Sequence, residues 1–415
     1  MEKTGIRLYG YRWMVLFVYA LITAIIQIQW LTFASIAREA RIFYNATALE
    51  IDLLSLIFMG VFLLVCIPAS WVIDRFGIKA GLRIGALLTG IFGLIKGIRP
   101  QDYHMVVIAQ TGLALAQPFI LNAATKVAVN WFPVDERALA VGIATLAQFV
   151  GIIIVMVLTP LMILTEIPGQ YDLSGMLMTY GMVSAAGALC LILFIREKPP
   201  TPPEIVECLD PLTMGENVKA ILDQRDMKYL FPLFFIGLGV FNAVSTCIDQ
   251  ICQAKGLSIE QTGIIGGIML VAGIIGALIL PVLSDKFKKR KFFICLAMAG
   301  TIPGIAGLAF FTDYTLLLAA SFILGFFLLG GGAPVGFQYC AEITRPAPES
   351  LSQGLLLFTG QVSGILFILF MNLAGVGPAM VTFLGLVLVN MTLGILLRES
   401  PVILAARESS HDSNG

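Results

Sequence analysis

Twelve uninterrupted apolar runs, each close to the roughly 20 residues that a helix needs to cross the hydrocarbon core of a bilayer, govern what this chain can become. They cover residues 13–36, 50–72, 80–98, 104–130, 136–165, 174–195, 227–252, 259–284, 291–311, 315–341, 350–374 and 376–397. Hydrophobic residues make up 58 % of the 415 and charged residues 13 %, where a soluble domain carries about 25 % charged. A water-soluble fold of this length cannot hide that much apolar surface. The runs lack the two-residue alternation of membrane barrel strands. Many of the 41 glycines fall inside them, which suits close packing of helices in lipid. The first run is too long for a signal-peptide core and lacks a small-residue cleavage site, so it reads as the first span. The expected fold class is an all-α integral membrane protein with twelve spans.

The charges between the runs are one-sided. Twenty-one of the 26 Lys and Arg residues fall on the side shared by both termini, and Arg38, Arg41, Lys96, Arg99 and Lys255 fall on the other. The positive-inside rule then places both termini in the cytoplasm of a multi-pass protein of the cell membrane. Net charge is zero, so no basic field for nucleic acid exists. The seven cysteines are scattered, without a CxxC pair or a Cys/His cluster. Neither a disulfide framework nor a metal is expected, and no cofactor is called for. The expected partners are a small-molecule substrate and the lipid bilayer, with the protein a monomer. The longest polar stretch, 196–228, opens with Arg196-Glu-Lys-Pro-Pro-Thr-Pro-Pro203, a composition that reads as a solvated cytoplasmic linker. It divides an N-terminal six-span bundle, 1–195, from a second bundle, 229–398, and a tail, 399–415.

The two halves repeat. Pro68-Ala-Ser-Trp-Val-Ile-Asp74-Arg75-Phe76-Gly77-Ile-Lys79 follows span two, and Pro281-Val-Leu-Ser-Asp285-Lys286-Phe287-Lys-Lys-Arg290 follows span eight. Each places an aspartate, a cation and a phenylalanine at a short turn. This pattern resembles the signature loop of the major facilitator superfamily, with Ser70 in place of the leading glycine and Ile78-Lys79 in place of the basic pair. A second similar stretch, Asn130-Trp-Phe-Pro133-Val-Asp-Glu136-Arg137-Ala-Leu-Ala-Val-Gly142, joins spans four and five. The resemblance covers all twelve spans and implies a 6+6 pseudo-twofold fold working by alternating access. Asp74 can meet the positive end of a helix in the other half, while Arg75 and Lys79 can bridge to acids on the same face. Such pairs, with Asp285, Lys286, Glu136 and Arg137, would form a gate that breaks when the halves rock. The rival reading is a charged loop that only sets topology.

Polar and aromatic side chains at mid-span are costly in lipid and mark a substrate path. Span one carries Gln27, Gln29 and Trp30, span four Asn122, span five Gln148, span seven Phe241 and Asn242, and span eleven Gln361. Glu136 lies twelve residues before Gln148 and Glu349 twelve before Gln361, so the two amides are repeat-equivalent and expected to face each other near the bilayer centre. They line a substrate site or make two separate interhelical hydrogen bonds. Trp30 sits roughly 25 Å along the helix from Trp13, which leaves it in a cavity or as an anchor at the outer interface.

A narrower resemblance bears on the choice. Ile51-Asp52-Leu-Leu-Ser55-Leu-Ile-Phe-Met59, Gln29-Trp30, Lys126-Val-Ala-Val-Asn-Trp131-Phe132, Ala243-Val-Ser-Thr246 with Gln250, and Gln361 are similar to the feline leukaemia virus subgroup C receptor-related transporters. That family carries choline and ethanolamine and has been linked to haem. The resemblance implies that Trp30 and an aromatic on span seven enclose a quaternary ammonium, with Gln148 and Gln361 lining the site. Cation–π attraction makes this possible without a buried carboxylate. Two departures stand out: the family's span-seven tyrosine is replaced here by Phe241-Asn242, and its span-four arginine by Lys126.

Haem finds no mid-span axial ligand here, and no clustered Ser/His, paired Asp or metal ligands suggest an enzyme. A non-transporting receptor would need no internal twofold. An organic anion would want a central Lys or Arg, and only Lys126 offers itself, towards the cytoplasmic end. Among Asp52, Lys126, Glu166, Asp249 and Glu342, none lies at mid-span by counting. Facilitated diffusion is therefore expected, with proton coupling through Asp249 as the alternative.

Overall fold

The structure, a computed structural model of the chain, describes residues 9–163, 171–201, 214–345, 347 and 349–404. Every regular element among them is a helix. Twelve segments long and apolar enough to cross a membrane coincide with the expected runs. Glu166, Cys208 and the tail beyond residue 404 lie outside the described residues.

The chain divides into two compact units, Met1–Leu209 and Asp210–Gly415, and their helices match pairwise. Span one opens with Tyr11–Trp30 and span seven with Met227–Thr246, each 20 residues. Spans two and eight are Ala48–Phe76 and Ile259–Phe287, each 29 residues. Spans three and nine, Ile78–Ile98 and Arg290–Phe310, have 21 each. Span five is Val134–Met162 and span eleven Glu349–Ala374. Spans six and twelve, Ser174–Phe194 and Val376–Leu396, again have 21 each.

The match extends to helix starts. Thr47 opens span two with a capping box, its hydroxyl accepting from the amide of Glu50 while the Glu50 carboxylate accepts from the amide of Thr47. Ser258 and Gln261 open span eight in the same way. The same number of residues separates Thr47 from Asp74 and Ser258 from Asp285. Two orphan donors are satisfied reciprocally at each start, which fixes the register of two long helices and so the placement of both aspartates.

Four spans are not the continuous helices that apolar length suggests. Span one breaks after Trp30, passes through a short 3-10 turn at Ala34–Ile36 and resumes as Ala37–Tyr44. Span seven breaks at Cys247 and resumes as Ile248–Gln253. Span four breaks between Leu121 and Ala124, just beyond Pro118, then runs to Trp131. Span ten changes to a π-helix over Gly325–Gly332 before Ala333–Ile343. Apolar length alone does not reveal these breaks, because it averages over a run and says nothing of backbone continuity. Proline and π-segments interrupt the regular ladder and free backbone groups for other partners.

The described start of the linker, 196–201, is tied to the first unit by hydrogen bonds. Tyr11 donates to the carbonyl of Phe194 at 2.7 Å, Trp131 to that of Arg196 at 3.3 Å and Asn130 to that of Glu197 at 3.1 Å. The Arg196 guanidinium lies 4.3 Å from the Tyr11 ring centroid. Further on, Met214–Asp223 forms a helix that buries Ile221 against Met227 and Leu230. Spans one and seven are the most buried: 72 % of an 18-residue apolar stretch is buried in each. Their polar residues therefore act inside the protein.

Candidate substrate site

Span five reaches span one at a residue without a side chain. A Cβ on Gly151 would lie 2.2 Å from the Ala24 carbonyl oxygen, so only glycine allows this approach. Gln148 is one turn before Gly151 and Gln27 one turn after Ala24. The contact accordingly brings the two amides together, Gln27 Nε2 donating to Gln148 Oε1 at 3.1 Å. Gln117 of span four completes the row, its Nε2 donating to Gln27 Oε1 at 3.4 Å. Among the described residues no hydrogen bond engages Gln148 Nε2 or Gln117 Oε1. The row thus ends in a free donor and a free acceptor. Sequence reading missed Gln117, although it is an amide in the middle of an apolar run, the same signal that flagged Gln148.

Trp30 ends the first helix of span one and is 8 % exposed. Its indole N–H donates to the Ser55 carbonyl at 3.3 Å, and the Ser55 hydroxyl donates back to the Trp30 carbonyl at 3.3 Å. A ring enclosed in this way is not an interface anchor. Gln29, its neighbour, is turned towards span six, donating to Tyr180 O and Ser184 Oγ at 3.1 and 2.8 Å. Asn122 does not join this group. Its Nδ2 donates to Ser70 Oγ at 2.9 Å and Cys66 O at 3.1 Å, holding the break in span four against span two.

In the second unit, Phe241 is 9 % exposed and lines a small apolar cavity with Phe234, Leu328, Leu329 and Met298. Asn242 donates to the Gly360 carbonyl at 3.1 Å, so its amide ties span seven to span eleven. The neighbouring Gln361 is half-buried and makes no hydrogen bond among the described residues. Phe241 and Gln361 are thus each next in sequence to one partner of a single inter-span bond. Asp249 lies beyond the break in span seven and is 1 % exposed, deeper than its position near an outer loop suggested.

The charged residues at the signature loops pair inside their own units. Asp74 and Lys126 meet at 2.9 Å, and Lys126 also donates to Ile73 O at 2.8 Å. Lys126 is therefore committed to the Asp74 loop. Arg12 and Glu136 pair at 3.1 Å, and Arg137 donates to Phe132 O at 3.2 Å. The amides of Ile78 and Lys79 donate to the Glu197 carboxylate at 3.1 and 2.8 Å. In the second unit Arg290 is the buried centre, bonded to Glu342 at 3.1 Å, to Ser284 at 3.1 Å and to Asp285. Sequence reading placed Arg290 among the cations of the repeated loop without giving it a partner, and did not single out Glu197 at all. Lys286 makes no ion pair among the described residues.

Two cations assigned to outer loops have structural work instead. Lys255 donates to the carbonyls of Ala309 and Phe311 at the end of span nine, at 3.3 and 2.6 Å, and burial pushes its ammonium below the ordinary lysine range. Lys96 lies inside span three with no exposed surface. Its Nζ donates to Thr32 Oγ1 at 3.1 Å and Gln110 Oε1 at 3.3 Å. None of the six described cysteines forms a disulfide with another described residue, and no cluster of metal-ligating side chains occurs among the described residues.

Comparison with known proteins agrees with this architecture. The chain is 28 % identical over 88 % of its length to an uncharacterized MFS-type transporter of Caenorhabditis elegans, of which it spans 64 %. It is 30 % identical to solute carrier family 49 member A3 of Danio rerio, with 88 % of this chain and 78 % of that protein covered. Against choline/ethanolamine transporter FLVCR2 of Homo sapiens it is 26 % identical, over 86 % of this chain and 70 % of that protein. The fold matches a bacterial homolog of the human lysosomal transporter Spinster with a TM-score of 0.75 at 15 % identity, over 94 % and 97 % of the two chains. The sequence profile of the Major Facilitator Superfamily matches residues 12–368. With its twelve spans and pairwise-matched helices, the chain is a member of the major facilitator superfamily, a transporter and not an enzyme.

Proposed function

We propose that this transporter moves a choline- or ethanolamine-like cation by alternating access and facilitated diffusion. The observation that carries the reading is the row Gln117–Gln27–Gln148, which ends in an unused donor and an unused acceptor within two turns of the enclosed Trp30. An amino alcohol asks for both: its hydroxyl donates and accepts, while its ammonium lies against an aromatic face. In the second unit the proposed aromatic is Phe241, which has the π face of the tyrosine it replaces without the hydroxyl. Gln361, which makes no hydrogen bond among the described residues, is the proposed amide of the second unit. The curated names of the FLVCR2 relatives point to the same substrate class.

A carboxylate substrate fits less well. Lys126 is already paired with Asp74, and Lys96 is enclosed by Thr32, Gln110 and Phe33, so neither presents its charge to a solute. Asp74, Arg75, Lys79, Glu136, Arg137, Asp285 and Lys286 are the proposed gate residues, and they act through contacts other than the pairs that Lys126, Arg12 and Arg290 make inside each unit. The basic side of the chain, including both termini, faces the cytoplasm of a cell-membrane monomer.

The test is equilibrium binding of radiolabelled choline to the purified protein. Loss of a desolvated cation–π contact worth about 2 kcal/mol should make Trp30→Ala bind about thirtyfold more weakly. Trp30→Phe should retain part of the affinity. Parent-like affinity in Trp30→Ala, with folding intact, rejects the cation reading.

A further inference from the structure

Lys96 is a fully buried cation on a membrane span, and the transport reading gives it no task. No carboxylate lies within ion-pair distance of its Nζ among the described residues. Its neighbours are the Thr32 hydroxyl, the Gln110 amide oxygen and the Phe33 ring, whose centroid is 5.6 Å away. An ammonium is expensive to keep in such a place unless something negative faces it.

The broken end of span one is what it faces. The first helix stops at Trp30, and its last carbonyls lose their regular partners. A helix C-terminus carries roughly half a negative charge. Side chains from neighbouring elements take up the freed oxygens. Thr32 Oγ1 donates to Ile28 O at 2.8 Å and also approaches Gln29 O at 3.1 Å. Gln110 Nε2 donates to Gln29 O at 3.3 Å and to Leu54 O at 3.1 Å, and Ser55 Oγ donates to Trp30 O. Lys96 grips both Thr32 and Gln110, so its charge and two of its protons tie together the side chains that close this end. Spans two, three and four all contribute to the closure, and it lies within two residues of Trp30.

We infer that Lys96 is a positioning residue for the Trp30 ring. Its ammonium is a built-in counter-charge for the broken end of span one, and it fixes the point where the helix stops and thus where the indole is presented. The inference rests on the reading of Trp30 as a substrate contact. A neutral side chain of similar length leaves the freed carbonyls under-compensated, so the break shifts and the ring with it.

The experiment is a double-mutant cycle read by choline binding to the purified full chain, with thermal unfolding measured in parallel. Lys96→Met should weaken choline binding about tenfold, and Thr32→Val, which removes one grip and keeps the cation, about threefold. Lys96→Arg should restore part of the loss. In a Trp30→Ala background, both Lys96→Met and Thr32→Val should have no further effect on affinity, an outcome that general loss of stability would not produce. Parent-like binding in Lys96→Met overturns the inference, as does a loss that persists in full without the indole. Should Lys96→Met fail to fold, the Thr32→Val arm decides by the same criteria. A silent Trp30→Ala removes the substrate reading and this inference with it, whereas a damaging Trp30→Ala beside a silent Lys96→Met removes the inference alone.

Discussion

Glu197 offers a quantitative test of how the first unit is closed at the Asp74 loop. It follows span six in sequence, yet its carboxylate accepts from the amides of Ile78 and Lys79, the first two residues of span three, at 3.1 and 2.8 Å. Those amides have no partner within the helix. A carboxylate here fills a capping role worth about 0.5–2 kcal/mol and meets the positive end of the helix dipole, for about 0.3–1 kcal/mol at a partly exposed site. Glu197→Ala is predicted to cost about 1.5 kcal/mol locally, within the range for such caps. Glu197→Gln, which keeps one acceptor and loses the charge, should cost about half of that. The loss is read most directly by hydrogen exchange of the 77–80 segment, where about 1.5 kcal/mol corresponds to roughly a tenfold faster rate if local opening controls exchange. Gly77 supplies a cross-check. Its φ is +90°, and a Cβ there would lie 2.4 Å from the Glu197 carboxyl group. Gly77→Ala should therefore strain the turn and expel the cap, so that adding Glu197→Ala costs little more. Unchanged exchange in Glu197→Ala, or full additivity with Gly77→Ala, would refute the cap.

Two further outcomes are predicted. Arg290→Met leaves Glu342 buried without its counter-charge and should destabilise the second unit by about 3–5 kcal/mol, seen as a large fall in Tm; Arg290→Met with Glu342→Leu should recover most of it, and equal losses in the single and double variants would contradict the pairing. For topology, cysteines introduced at Ile205 and Ser410 in a background without native cysteines should resist impermeant reagents in intact cells, and labelling from outside at either position would reverse the orientation.

Sequence alone carried the architecture, because hydropathy and charge act over whole segments. Any helix of about 20 apolar residues must cross the bilayer or be buried. The twelve runs and their one-sided charges thus needed no tertiary information, and the paired loops at Asp74 and Asp285 made the repeat visible. Gln27, Gln148 and Gln361 were legible for a related reason: an amide at membrane depth is costly wherever it points, so its presence is itself a signal. What it bonds was not legible. The approach of Gly151 to Ala24 set Gln27 against Gln148 and drew in Gln117, while Asn122 turned to Ser70 and Cys66. Lys96 and Arg290 looked like loop charges because counting along a chain gives depth and no direction. The breaks after Trp30 and Thr246 were hidden for the same reason. A helix stops inside the membrane only when neighbouring spans can satisfy the backbone groups it frees, and those neighbours, Ser55 and Gln110 at Trp30, with Lys96 holding Gln110, are far away in sequence and meet it only in the fold.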